Sequence, residues 1–244
     1  DHEPFMNWYA SPVDLVNGPY GWPTYVAKAP LGIVPVSPDG SVRFKAPAGK
    51  VLYFHVLDEN FNELQRMRSV VQLQPGETRS CVGCHESRHS TPVRQDRPLA
   101  RQALDLEVAP WAGEPFSYER VVQPVLDAKC VLCHDQYHEK GLDFRGVLDR
   151  DRVPASYRTL ITKGLVSYCD FGWNSGGCEK IEPLSVGTLK SRLWEVLDGG
   201  HHDVRLTTDQ MRRIKTWIDL NCPLWPDYMD RRERPARPVG GQTE

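Results

Sequence analysis

Between Gly32 and Leu73, apolar and polar residues alternate with the two-residue period of half-buried strands, broken by turns that contain Gly and Pro. Residues 33–36 and 42–45 flank the turn Pro38-Asp39-Gly40. Pro47-Ala48-Gly49 then leads into a β-rich run at 51–57, and after the polar Asp58-Glu59-Asn60 the pattern resumes at 70–73. This spacing predicts a small antiparallel β domain, sheet or sandwich, over residues 31–75. Past Pro75-Gly76 the period lengthens to that of helices. Val121, Val122, Val125 and Leu126 form one apolar face of a helix expected over 118–129, with Pro124 in its first turns. A second helix starts at Thr207, where Gln210 completes a capping-box pattern, and its stripe of Met211, Ile214, Trp217 and Ile218 runs on towards Pro223. Taken alone, both stripes are ordinary core faces. Residues 1–30, rich in Pro, Gly and aromatic side chains, read as an irregular lead-in, and residues 231–244 as a weakly ordered tail. The expected class is α+β: a β domain followed by a mainly α-helical, loop-rich region over 76–230.

Composition adds exclusions. Lys and Arg number 30 against 32 Asp and Glu, a net charge of −2, and the basic run Arg231, Arg232, Arg234 and Arg237 falls in the tail. That balance excludes a generic nucleic-acid-binding surface. No stretch reaches the roughly 18–20 consecutive apolar residues of a membrane span. The chain opens on Asp1 with neither Met nor a basic and apolar leader, which points to a processed or excised chain.

The chemistry lies in the cysteines. Cys81-Val82-Gly83-Cys84-His85 and Cys130-Val131-Leu132-Cys133-His134 both read C-x-x-C-H, the attachment signature of c-type haem. On a tight helical turn, positions i, i+3 and i+4 share a face, so two thiols can reach a porphyrin's two vinyl groups while the next imidazole meets the iron. Two covalently attached haem c groups are therefore expected, with Cys81, Cys84, Cys130 and Cys133 as thioether anchors and His85 and His134 as proximal ligands. A four-cysteine zinc site shares the cysteine spacing. With 8 His in the chain, however, a His after both pairs would arise by chance roughly once in a thousand. A dithiol redox motif needs a βαβ setting that this sequence lacks.

The remaining axial positions stay more open. His89 and His138 each follow a motif His by four residues, on the same side of a turn, which argues against binding the far face of their own haem. His89 stays a candidate axial ligand to the first or a neighbouring haem, alongside the reading of a surface histidine. His201 and His202 lie in a Gly-led loop before the second helix, which can aim an imidazole at an iron from a distant part of the chain. His201 is the favoured distal ligand of the second haem, with His202 the alternative. Cys169 and Cys178 flank a short turn-rich loop that a disulfide can close, and Cys222 reads as a buried small hydrophobe.

Several stretches resemble the C-terminal dihaem region of hydrazine synthase alpha-subunit-like multihaem proteins. They are Gly32-Ile-Val-Pro-Val-Ser-Pro-Asp-Gly-Ser41, Met67-Arg-Ser69, Leu73-Gln-Pro-Gly-Glu77, Ser80-Cys-Val-Gly-Cys-His-Glu86, Val125 to His134, Gly200-His-His-Asp-Val-Arg-Leu206 and Trp217-Ile-Asp-Leu-Asn221. The resemblance spans residues 32–226. It implies a β middle domain followed by a dihaem helical region, with His201 opposite His134 on the second haem. At the position where that family's catalytic haem takes a tyrosine, this chain has His89, which implies an ordinary histidine-ligated iron.

Two functions from different classes follow. The first is an electron-transfer cytochrome with two six-coordinate haems and redox proteins as partners. The second is a haem enzyme acting on a small nitrogen or oxygen species at an open first haem. A protomer of a larger multihaem assembly is a third reading, in which His2, His55 or His89 ligates across an interface. Electron transfer is preferred, and haem attachment together with the disulfide place the chain in the periplasm or outside the cell.

Overall fold

The computed structural model describes residues 28–67, 70–83, 102–150, 152–169 and 182–226. The β region is a nested hairpin rather than a sandwich. Strand β1 (Val51–Leu52) pairs antiparallel with β4 (Val71–Gln72), and inside that pair β2 (His55–Leu57) runs antiparallel to β3 (Glu63–Arg66). A register shift at Val56/Leu57 bends the inner pair. The inner turn is built by Asp58, whose carboxylate accepts from the backbone of Asn60 and Asn62 at 2.8 Å each. The segments at 33–36 and 42–45, expected to pair as strands, contribute only isolated bridges, Ile33 to Glu107 and Phe44 to Leu104. Their turn does form, with the Gly40 N–H donating to the Ser37 carbonyl at 2.8 Å.

The helical region contains α1 (Tyr118–Val121), α2 (Gln123–Lys129), α3 (Ala155–Thr162), a 3-10 turn at Thr188–Lys190, α4 (Arg192–Asp198) and α5 (Thr208–Asp219). The single helix expected over 118–129 is two. Pro124 has no N–H to give to the residue-120 carbonyl, so the ladder restarts, with Val125 and Leu126 both donating to the Val122 carbonyl. On α5 the capping box forms as read from the sequence: the Gln210 N–H donates to Thr207 Oγ1 at 3.2 Å and the Thr207 N–H to Gln210 Oε1 at 3.0 Å. The same helix ends in a Schellman motif. Asn221, at φ 66°, lets the Cys222 N–H reach the Trp217 carbonyl at 2.9 Å and its own N–H reach Ile218 at 2.9 Å.

Tyr118, Tyr157 and Trp217 interlock at the centre of the core, their rings 5.0–5.9 Å apart. Each polar tip is satisfied: Tyr118 Oη donates to Ser156 Oγ at 2.9 Å, Tyr157 Oη to the Cys222 carbonyl at 2.6 Å, and Trp217 Nε1 to the Pro223 carbonyl at 3.1 Å. Cys222 is fully buried here, as the sequence suggested. No disulfide is formed among the described residues. Cys169 is buried, and Cys178, the other end of the expected bridge, lies outside them. Nor, among the described residues, is any helix long and apolar enough to cross a membrane.

Candidate functional site

The second C-x-x-C-H segment begins where α2 ends. Cys130 is the C-cap, its N–H donating to the Leu126 carbonyl at 2.8 Å, and the chain then tightens. The N–H groups of Cys133 and His134 both donate to the Cys130 carbonyl, at 3.1 and 3.0 Å. That closed turn gathers the two thiols and the imidazole on one short segment, as the spacing requires. The backbone on either side holds it fixed: Val122, Val125 and Leu126 lie in the core, and the Phe144 N–H donates to the His134 carbonyl at 3.0 Å.

The two cysteines face different media. Cys133 is exposed; Cys130 is half-buried, and burial followed by the neighbouring Cys133 pushes its thiol up to about 11, so it stays neutral. Between them Leu132 stands 94% exposed, and Tyr137 shortly after is 81% exposed. Two large apolar side chains in water beside a fixed dithiol form a surface that an apolar group would cover.

His134 sits in a row of aromatic rings. His138 stacks on it at 4.4 Å, Phe144 lies 4.8 Å away, and His201, brought by the loop ahead of α5, lies at 5.9 Å with planes 29° apart. His202 meets His201 edge-on at 4.6 Å and is exposed. The loop is held in a bent form by left-handed backbone at Gly200, His202 and Asp203, closed by the Val204 N–H donating to the His201 carbonyl at 2.9 Å. Burial, followed by the neighbouring His138 and His201, lowers the His134 pKa and keeps its ring neutral, the form that binds metals. Its Nδ1 is sealed from solvent without a well-formed hydrogen bond. The Leu142 backbone lies beside the ring and opposes part of the lowering.

These residues fit an axially ligated haem. Two imidazoles sharing one metal at about 2.0–2.1 Å per nitrogen need ring centres roughly 6 Å apart, and His134 and His201 stand at 5.9 Å. Among the described residues no three of His, Cys, Asp and Glu converge as a metal-ion site, so Cys81, Cys130 and Cys133 do not gather into a zinc centre.

The first motif is placed differently. Cys81, Val82 and Gly83 are exposed on the stretch after β4, while Cys84, His85 and His89 lie outside the described residues. His55, one of the residues read as free to ligate across an interface, is instead committed inside the β hairpin. Its Nδ1 is in contact with Glu63 Oε2, which in turn accepts from Arg66 Nε through Oε1 at 2.5 Å. Sequence reasoning missed this buried trio, along with Asp219 and Lys28 beside it. Polar side chains at alternate strand positions read as a solvent face.

Comparison with known proteins bears on the N-terminal half. No curated protein and no solved structure matches the chain. The resemblance read from the sequence over residues 32–226 is supported in its β part and not as a C-terminal dihaem region: the match covers the β region and the first motif, less than half of the chain, and leaves the helical region and second motif unmatched. Residues 10–86 are similar to the middle domain of the hydrazine synthase alpha subunit.

Proposed function

We propose that this chain is a dihaem c-type cytochrome that transfers electrons outside the cytoplasm. The observation that carries the reading is the second motif, with Cys130, Cys133 and His134 on one closed turn and His201 at 5.9 Å from the His134 ring. On this reading Cys130 and Cys133 hold the second haem, His134 and His201 ligate its iron, and Cys81, Cys84 and His85 hold the first. Haem supplies one-electron chemistry when bound. The protein's part is to supply two imidazoles, to fix their separation through α2 and the capped α5, and to cover one side of the site with Phe144. Leu132 and Tyr137, now exposed, are the apolar side chains that a bound porphyrin would have beside it. Redox proteins, further copies of this chain or a larger multihaem complex are the partners, and the periplasm or cell exterior is where such attachment takes place.

The match to a hydrazine synthase domain over residues 10–86 favours one alternative, a haem enzyme of small nitrogen or oxygen chemistry at the first motif. Spin state separates the two. Expressed in a host that matures c-type cytochromes, the chain should gain the mass of two haems and show two low-spin ferric signals at low temperature. His201→Ala should convert one of them to high spin and His202→Ala neither. A single high-spin signal in the wild type that shifts with cyanide would favour the enzyme. A mass equal to that of the polypeptide alone would end both readings.

A further inference from the structure

The ring of His134 is gripped on both faces. His138 stacks on it at 4.4 Å with the planes 25° apart, and Phe144 lies against it at 4.8 Å and 34°. On one face the two would crowd each other. They make no ring contact with one another, so they take opposite faces of His134. With both faces taken, His201 at 5.9 Å and 29° stands off the edge of the ring, where the imidazole nitrogens are.

An imidazole bound to a metal through one nitrogen can still turn about that bond. The usual restraint is a hydrogen bond from the other ring nitrogen to a carboxylate, a carbonyl or water. At His134 that restraint is weak: Nδ1 is sealed without a well-formed hydrogen bond, although the Leu142 backbone lies beside the ring. Stacking is what remains to set the plane, and its two sides are held differently. Phe144 belongs to the core, 5% exposed, with its N–H donating to the His134 carbonyl at 3.0 Å and its own carbonyl accepting from Gln123 Nε2 at 3.0 Å. His138 is half-buried and is held by its own turn. Its N–H donates to the Asp135 carbonyl at 3.2 Å, and its carbonyl accepts from the Gly141 N–H at 2.8 Å. Its Nδ1 accepts from the Lys140 N–H at 3.3 Å. A neutral ring whose Nδ1 accepts carries its hydrogen on Nε2, so His138 as placed offers no lone pair to a metal.

We propose that His138 is a positioning residue for the second haem: pressed on His134 opposite Phe144, it fixes the plane of the proximal imidazole relative to that of His201. The inference rests on the haem reading above and concerns how the ligand is aimed. A low-spin ferric iron reads the angle between its two axial imidazole planes directly. Near-parallel planes split its d orbitals and give a rhombic spectrum with separate g-values, whereas perpendicular planes leave two orbitals almost degenerate and give a single feature at large g. Planes 29° apart belong to the first class. Without His138, one face of His134 opens and its ring gains a range of orientations.

The test is low-temperature electron paramagnetic resonance of the haem-loaded full chain, as wild type and with His138→Ala or His138→Phe. The second haem's signal is the one that His201→Ala converts to high spin, and in the wild type it should be rhombic. His138→Ala should leave it low-spin but shift its g-values by more than their linewidth and broaden them. His138→Phe keeps a stacked ring and loses both imidazole nitrogens, and it should restore the wild-type spectrum. Unchanged g-values in His138→Ala overturn the proposal. So does a change that His138→Phe fails to reverse, or a conversion to high spin, which would make His138 a ligand. A chain with the mass of the polypeptide alone fails earlier, at the haem reading itself, and takes this proposal with it.

Discussion

The two C-x-x-C-H segments are spelled alike and are built into opposite kinds of structure. The second hangs from the end of α2, beside a core whose aromatic rings are packed face to edge and whose polar tips all have partners. The first follows a short edge strand and starts on exposed chain, and the structure beneath it is a hairpin whose inner face is charged and incompletely paired. The motif names the chemistry in both places. What differs is how the structure next to each segment is held: by dispersion and burial in one region, by ion pairs in the other. The helical site should therefore answer to changes in volume and the hairpin to changes in charge and pH.

Removing volume from the helical core should have the largest effect. Trp217 is fully buried between Tyr118 and Tyr157, and Trp217→Ala should cost about 3–5 kcal/mol by denaturant titration. A loss below about 1 kcal/mol would mean that this core does not carry the region. Breaking the hairpin's ion pair comes next. Glu63 is 4% exposed; burial alone would raise its pKa, but the contacts with His55 and Arg66 outweigh that and hold the carboxyl below its usual 4.5. Glu63→Gln leaves Arg66 buried without a counter-ion and should cost about 3 kcal/mol at neutral pH. A group with a depressed pKa gives stability that is present above the unfolded value and lost in acid. The gap between wild type and variant should therefore be full above pH 4.5 and close as the pH falls through the folded value. A gap that stays constant into strong acid would show that the trio is not an ion pair.

How much of this the sequence revealed divides along the same line. The capped α5, its apolar stripe and the apolar faces around Pro124 were legible because water-avoiding residues at helical spacing have one physical explanation. The turn at Pro38-Asp39-Gly40 was legible from backbone chemistry alone. Strand β3 was not: its buried residues are Glu63, Gln65 and Arg66, and polar side chains that find tertiary partners carry no periodic signal. Helix α3 was missed for a weaker reason. Tyr157, Leu160 and Ile161 do keep helical spacing, but the helix has only eight residues and no side-chain cap to mark its start. Of the candidate site, Cys130, Cys133 and His134 could be named from spacing. That His201 comes within 5.9 Å of His134 depends on a left-handed loop whose strain only the fold can hold.

A glycine at the joint of the two regions gives a smaller effect with an internal control. Gly187 has φ 84°, and a β-carbon there meets Asp219 Oδ1 at 2.5 Å, whereas Gly76, at φ 77°, has open space around it. Gly187→Ala should cost about 2–3 kcal/mol, strain plus collision, and Gly76→Ala about 1 kcal/mol, strain alone. Equal losses would show that the joint yields freely and that the close approach there holds nothing in place.

The smallest expected change tests whether the helical site is held as firmly as its packing suggests. Thr207 caps α5 directly after the loop that carries His201, and Thr207→Ala removes one half of the capping box, a loss of about 1 kcal/mol in stability. In an apolar, well-packed region that loss should stay local, because Ile214, Trp217 and Ile218 fix the rest of the helix without help from its first turn. Amide hydrogen exchange should then speed up at Met211, whose N–H donates to the Thr207 carbonyl, and in the loop that carries His201, while the amides of Leu220 and Asn221 keep their protection. Faster exchange along the whole helix would show instead that the cap, and not the core, sets the position of His201.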